Sequence, residues 1–233
     1  MTGEIAVIVT ARNEAARLDA TLAALAGAFP GARVVVADDA STDATGHLAL
    51  QAGAELVRAP HRLGKGGTAT LAARRLLDAD AARVYVLCDG DLGASAGALA
   101  RLVAALEGEP CDIAVAAFSR RVGGGVGAAL GLSRRAVRDL TGLELNAPLS
   151  GQRALRGEAL AAVVPFAAGF GMETAMAIDA HRAGFSIAEV ELDLEHRASG
   201  RTLSGFLHRG RQARDIARAW LARRGGPGQG KAE

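Results

Sequence analysis

Lysine is almost missing from this 233-residue chain: Lys65 and Lys231 stand against 25 arginines. Lys231 falls among the last three residues, so Lys65, set between Gly64 and Gly66, is the one ammonium expected inside the fold. Aromatic side chains make up only 3% of the chain, and Ala, Leu and Val must therefore fill the interior. Cysteine is limited to Cys88 and Cys111, which gives neither a disulfide framework nor a zinc-ligand spacing. Cys88 lies in an apolar run and is expected to pack as a small hydrophobe. A reducing cytosol is the simplest compartment, and a cytoplasmic protein is expected. The longest apolar stretch, residues 159–170, is broken by Pro165 and is shorter than the about 20 residues a bilayer requires. Glu4 stands where a signal peptide would carry positive charge. A net charge of +2 does not mark a nucleic-acid partner.

What is present is an alternating pattern. Half the residues are hydrophobic, and the length suits one α/β domain. Residues 5–10 (IAVIVT) form a β-branched run that predicts a buried strand. Leu18, Leu22 and Leu25 recur at helical spacing within 14–26. Residues 33–37 (RVVVA) predict a second strand ending at Asp38-Asp39, with Ser41, Thr42 and Asp43 as caps for the next helix. A short third strand at 55–58 leads through Gly64-Lys65-Gly66-Gly67 into a helix at 68–77. Residues 83–88 (RVYVLC) predict a fourth strand that delivers Asp89-Gly90-Asp91. A helix at 95–106 and a fifth strand at 112–118 follow. Strict βαβα order predicts a mostly parallel sheet with helices on both faces. In such sheets ligands sit at the carboxyl ends of the strands, where each of these polar clusters falls.

The order changes after Ser119. Residues 123–127 read as a glycine-rich loop; Gly123-x-Gly125-x-x-Ala128 has the outline of a dinucleotide fingerprint but does not open the first βα unit. A helix at 133–140, a short strand at 152–155, helices near Glu158 and Glu173 and an alternating strand at 186–194 are expected. The final helix, 203–224, carries Leu203, Phe206, Leu207, Ala213, Ile216, Ala217 and Trp220 on one stripe. From Glu195 to Arg224 eight arginines face two acids. This pattern predicts one domain over 1–224, made of a nucleotide-binding half (1–118), a second half (119–200) and the basic helix, with 225–233 as a tail.

Asp89 and Asp91 flank one glycine. On an extended chain such side chains share a face roughly 6.6 Å apart, which lets one carboxylate reach a ribose and the other a hard cation. Magnesium and manganese take oxygen ligands and often bind through one or two carboxylates plus substrate phosphate. The plain alternative is a turn after a strand, for which Asp-Gly suffices. Asp38-Asp39 supplies more acid than a cap needs, and an Asp here can accept from a pyrimidine N–H; capping is the alternative. Lys65 and its glycines could form an anion nest at a helix start, although the phosphate-loop pattern is not met. His196 is a candidate metal ligand or a solvated histidine. Glu173 is a candidate for an acceptor hydroxyl or a favourable charge at a helix start.

The ordered set VTARNE (9–14), VVVADDASTD (34–43), GKGGT (64–68) and VLCDGDL (86–92) resembles family 2-type glycosyltransferases of the GT-A fold. The second half resembles the glucosyl-3-phosphoglycerate synthase branch through residues 147–160 (APLSGQRALRGEAL), 165–184 and 187–197 (IAEVELDLEHR). The resemblance implies a Rossmann-like nucleotide-diphospho-sugar transferase fold, a UDP-sugar donor and Mg²⁺ or Mn²⁺. It implies Asp91 and His196 as metal ligands and Asp89 with Gly90 at the ribose. Thr10, Ala11, Asn13, Glu14 and Asp39 would line the nucleotide, with Lys65 beside it, and Asp91 and Glu173 would serve the chemistry. The branch has Gly-Glu where Gly151-Gln152 stands, which puts 3-phosphoglycerate in doubt as acceptor. SGQRA is also similar to the SGxRA motif of polyprenyl-phosphate sugar transferases, without their preceding Asp and without a membrane span.

Other classes remain open at this level: a sugar-1-phosphate nucleotidyltransferase, or a non-catalytic nucleotide-binding module. The basic helix 203–224 has two readings. It docks on its own domain or on a second copy in a homodimer, or it lies on the inner face of an anionic membrane as a peripheral contact.

Overall fold

The computed structural model describes residues 4–79, 82–108, 110–118, 127–194 and 203–225, excepting the side chains of 203–209. The elements run β1 Ile5–Ala11, α1 Leu18–Ala28, β2 Arg33–Asp38, α2 Thr45–Gln51, β3 Glu55–Arg58, α3 Lys65–Asp78 and β4 Val84–Asp89. A 3-10 segment, Gly93–Leu99, runs into α4 Ala100–Gly108. Then come β5 Ile113–Phe118, α5 Gly127–Thr141, β6 Arg153–Arg156, α6 Gly157–Val163, a 3-10 turn Gly169–Gly171, α7 Met172–Arg182, β7 Ile187–Leu192 and α8 Leu203–Arg224.

Seven strands form one sheet in the order β3-β2-β1-β4-β6-β5-β7. All pairings are parallel except those of β6, which runs antiparallel between β4 and β5. The β-branched runs explain the buried centre, because alternate side chains of each strand feed two opposite layers. On one face Val7, Val9, Val36 and Val86 meet the leucines of α1, the 3-10 segment and α4. On the other, Ala6, Ile8, Val35 and Leu87 meet Ala69, Ala72, Ala73 and Leu76 of α3 together with α6 and α7. Alanine on α3 lets that helix lie close to the sheet, which is how a chain poor in aromatics still closes its core. Each fully buried leucine, such as Leu76, contributes about 1.5–3 kcal/mol.

Several boundaries differ from expectation. The helix expected from residue 14 begins at Leu18, because the Glu14 N–H donates to Thr45 Oγ1 and the Ala15 N–H to Asp43 Oδ2. α3 starts at Lys65 rather than 68, since Gly64, at φ 77°, turns the chain and its carbonyl accepts from the Thr68 N–H. The stretch expected as one helix at 95–106 opens as a 3-10 segment, whose Gly93 N–H is held by Thr21 Oγ1. The helix expected at 133–140 already begins at Gly127. The glycine-rich loop lies, up to residue 126, outside the described residues.

The antiparallel direction of β6 positions the site. The carboxyl ends of β1, β2 and β4 share one edge, with Thr10 opposite Asp89 and Ala11 opposite Asp38. β6 enters at that same edge, pairing Arg153 with Leu87, so Gly151 and Gln152 arrive beside the end of β4.

Candidate active site

Asp89 is the last residue of β4, and four groups converge on it or its partner. Lys65 Nζ lies 2.6 Å from Asp89 Oδ1 and 2.9 Å from Glu173 Oε1. Thr10 Oγ1 donates to Asp89 Oδ1 at 3.0 Å, and Gln152 Nε2 donates to Oδ2 at 2.7 Å. Burial pulls the Lys65 ammonium toward deprotonation, yet Asp89 and Glu173 override it and hold its pKa raised. Burial likewise opposes the Asp89 carboxylate, but Lys65, Gln152 and Thr10 keep its pKa lowered. Both groups are therefore charged at neutral pH. Gly151 is the close approach that makes this possible: a Cβ there would collide with Lys65 Nζ and sit 2.9 Å from Asp89 Oδ2.

The turn after Asp89 differs from the extended geometry expected across Gly90. β4 ends at Asp89, and Gly90-Asp91 is a turn, so the shared-face spacing does not apply. The turn is pinned at the backbone. Gly90 N–H donates to Thr10 O at 2.9 Å, Thr21 Oγ1 donates to Gly90 O at 2.9 Å, and Arg17 Nη1 donates to Asp91 O at 2.9 Å. The side chain of Asp91 is half-buried and, among the described residues, has no hydrogen-bond or ion-pair partner, which leaves a hard oxygen donor at the strand end.

The other predicted residues gather around the same edge. Asn13 and Ala40 are the two non-glycine residues with positive φ among those described, at 54° and 52°. They belong to two loops stitched together: Asn13 N–H donates to Ser41 Oγ at 3.0 Å, and Asn13 Oδ1 accepts from Thr42 N–H at 2.8 Å. Ala11 is buried at the end of β1, and Glu14 is half-buried in the same loop. Asp39 Oδ1 accepts from Leu63 N–H, Gly64 N–H and Thr68 Oγ1, so one of its oxygens fixes the start of α3 rather than capping α2. Asp38 is fully buried, accepts from Ser41 N–H and lies 3.5 Å from Arg58 Nε. His196, the other expected metal ligand, lies outside the described residues. Among the described residues no group of three or more His, Cys, Asp or Glu side chains could hold a metal.

Two participants were missed. Gln152, expected on the acceptor side, is a partner of Asp89. Arg153 is fully buried, donates to the carbonyls of Ser150 and Pro148 at 2.9 Å each, and leaves Nη1 without a hydrogen-bond partner among the described residues. Burial pulls its pKa down to about 10 despite Glu173 and Glu189 nearby. The signal was an arginine followed by Ala-Leu inside a strand. Cys88 packs as expected, with burial pushing its thiol well up.

The described part of α8 docks on the domain. Ile216 and Ala219 are buried, Arg223 Nε donates to Asp179 Oδ1 at 2.6 Å, and Trp220 lies 5.7 Å below the Arg135 guanidinium and 5.1 Å from that of Arg224. Among the described residues no helix is long and apolar enough to cross a membrane.

Residues 6–170 match the sequence profile of the family described as glycosyl transferase family 2. No curated protein matches the chain. Among solved structures the chain is similar to glucosyl-3-phosphoglycerate synthase from Mycobacterium tuberculosis. In complex with phosphoglyceric acid the TM-score is 0.78 at 29% identity, over 97% of this chain and 82% of that one. In complex with Mn²⁺, UDP-glucose and phosphoglyceric acid it is 0.77 at 30%, over 97% and 81%. In complex with Mn²⁺, UDP-glucose and glycerol 3-phosphate it is 0.77 at 29%, over 97% and 82%. The mixed seven-stranded sheet is thus the GT-A fold, and the chain, a glycosyltransferase, belongs to glycosyl transferase family 2.

Proposed function

We propose that this enzyme transfers a glucosyl group from UDP-glucose to a small phosphorylated acceptor, with Mg²⁺ or Mn²⁺ held at Asp91. The observation that carries the reading is the Lys65-Asp89-Glu173 cluster, closed by Gln152, at the strand edge where GT-A enzymes take their donor. Its support is the likeness to a synthase whose structures hold Mn²⁺, UDP-glucose and phosphoglyceric acid or glycerol 3-phosphate.

The residues divide the work by position. Thr10, Ala11, Asn13 and Glu14 line the nucleotide side, Asp39 accepts from the uracil, and Asp89 and Gly90 meet the ribose. Lys65 supplies the positive charge for the diphosphate. Glu173, across Lys65 from Asp89, faces the acceptor hydroxyl. The chemistry of Asp91 fits a hard divalent cation, with His196 as a further ligand by resemblance. When bound, such an ion offsets the negative charge left on the departing nucleoside diphosphate. We read residues 1–224 as one domain of a cytoplasmic enzyme. α8 spends Ile216 and Ala219 on its own domain, which supports internal docking over a membrane-lying helix or a second copy.

The test is direct. Purified chain is incubated with UDP-glucose, MnCl₂ and either 3-phosphoglycerate or glycerol 3-phosphate, and UDP release and product mass are followed. Metal-dependent glucosyl transfer to either acceptor is expected. Transfer that persists in chelator, or that uses only a GDP-sugar, overturns the reading.

A further inference from the structure

α8 lies against the turn that leads into Glu173. A Cβ on Gly171 would meet Asp215 O at 2.8 Å and Ala219 Cβ at 2.9 Å, so the turn packs against α8 with no room for a side chain at 171. Asp215 Oδ2 accepts from Phe170 N–H at 3.4 Å, and its carboxylate covers Gly169 closely enough that a Cβ there would collide with it. On its other side the same turn reaches α3: a Cβ on Gly64 would lie 3.8 Å from the Gly169 Cα. Two residues beyond Gly171, Glu173 is buried and grips Lys65, the first residue of α3. A clasp at the far end, Arg223 on Asp179, ties α8 to α7, the helix that carries Glu173.

We propose that α8 is a positioning strap for the active site, with Asp215 as the residue that sets the 169–171 turn and so the grip of Glu173 on Lys65. This rests on the reading of the Lys65 cluster as the donor site, but it is tested without the donor. The strap acts through Glu173 and touches no substrate. Gly171 has φ −81° and ψ −10°, a backbone that alanine adopts without strain, so Gly171→Ala introduces only the steric wedge.

The chain's two lysines make the measurement self-calibrating. Purified full-length protein is treated with a limiting amine-acylating reagent, and mass spectrometry gives the ratio of modification at Lys65 to that at Lys231. Glu173→Gln sets the scale for a Lys65 that has lost the Glu173 charge and keeps Asp89. Gly171→Ala and, as the milder variant, Asp215→Asn are expected to raise the ratio, by about tenfold for the wedge, mid-range for residues coupled through a shared backbone shift. Circular dichroism melting establishes that each variant is folded, and Asp215→Glu is expected to return part of the protection. A folded Gly171→Ala or Asp215→Asn protein with the parental ratio overturns the proposal. Failure of the unmodified chain to use UDP-glucose would instead overturn the functional reading and leave the ratio as it is.

Discussion

Gln152 donates from Nε2 to Asp89 Oδ2 at 2.7 Å across 63 residues of sequence, and that amide is wholly buried. The Gln152 Oε1 accepts from Ser150 Oγ at 3.3 Å, so the amide is oriented with its donor toward the carboxylate. Gln152→Glu would replace the donor with a like charge. We expect it to destabilise the metal-free protein by about 2 kcal/mol, the scale of losing a hydrogen bond to a charged group. Urea unfolding in chelator measures this, and a variant as stable as the parent would show that the amide does not hold Asp89.

Asp91→Ala removes a side chain with no partner among the described residues, so its effect should fall on chemistry alone. Transfer is expected to drop about a thousandfold or more, as losing a bound cation's several kcal/mol of charge stabilisation requires. The melting temperature is expected to stay within about 2 °C of the parent, as for a surface substitution. His196→Ala is expected to raise the Mn²⁺ concentration for half-maximal activity about tenfold or more. A folded Asp91→Ala enzyme of normal activity, or an unchanged metal titration for His196→Ala, refutes the respective role.

Lys65→Met leaves Asp89 and Glu173 facing each other without a cation between them. Breaking a fully buried pair costs about 3–5 kcal/mol; Lys65 and Asp89 keep about a quarter of their side-chain surface, so about 2 kcal/mol is expected here. UDP affinity, read by calorimetry, should fall with it. Unchanged stability and affinity together would show that the cluster is incidental.

The acid limb of stability follows from Asp89. Its folded pKa is lowered below the ordinary 3.8, so its contribution is present above that value and is lost as pH falls through the folded pKa. Lys65 is the mirror case: its pKa is raised above 10.5, and its contribution is complete below that value and lost as pH rises through the raised one. Arg153 is lowered from the ordinary guanidinium range to about 10, so between those values the unfolded chain binds more protons and this term rises with pH. The parent is expected to unfold more easily below about pH 4, with a shallower acid slope in Lys65→Met, where Asp89 has lost its main partner. Equal slopes in urea titrations at pH 2.5–5 would contradict the pairing.

The sheet was legible because β-branched runs and helical leucine spacing are local signals. Asp89 and Lys65 were legible for a similar reason, one ending a strand and the other flanked by glycines in a chain nearly free of lysine. What joins them was not. Gln152 and Glu173 reach the cluster only because β6 runs against its neighbours and because the turn at Gly169–Gly171 fits under α8, and neither fact has a local signature. Asp39 shows the same limit: composition marked it as surplus acid, while its three donors come from the segment around α3.

β6 also has a bearing on how the molecule is made. It separates β4 from β5, so those two strands are not neighbours, and their shared partner is encoded some 60 residues downstream of Asp89. A ribosome that has released only the stretch through β5 has produced strands awaiting a missing lath. Non-local pairing of this kind slows folding, so the corner around Asp89 is expected to assemble late. A nascent fragment that ends at β5 carries Lys65 and Asp89 but still lacks Gln152 and Glu173, the other half of the cluster.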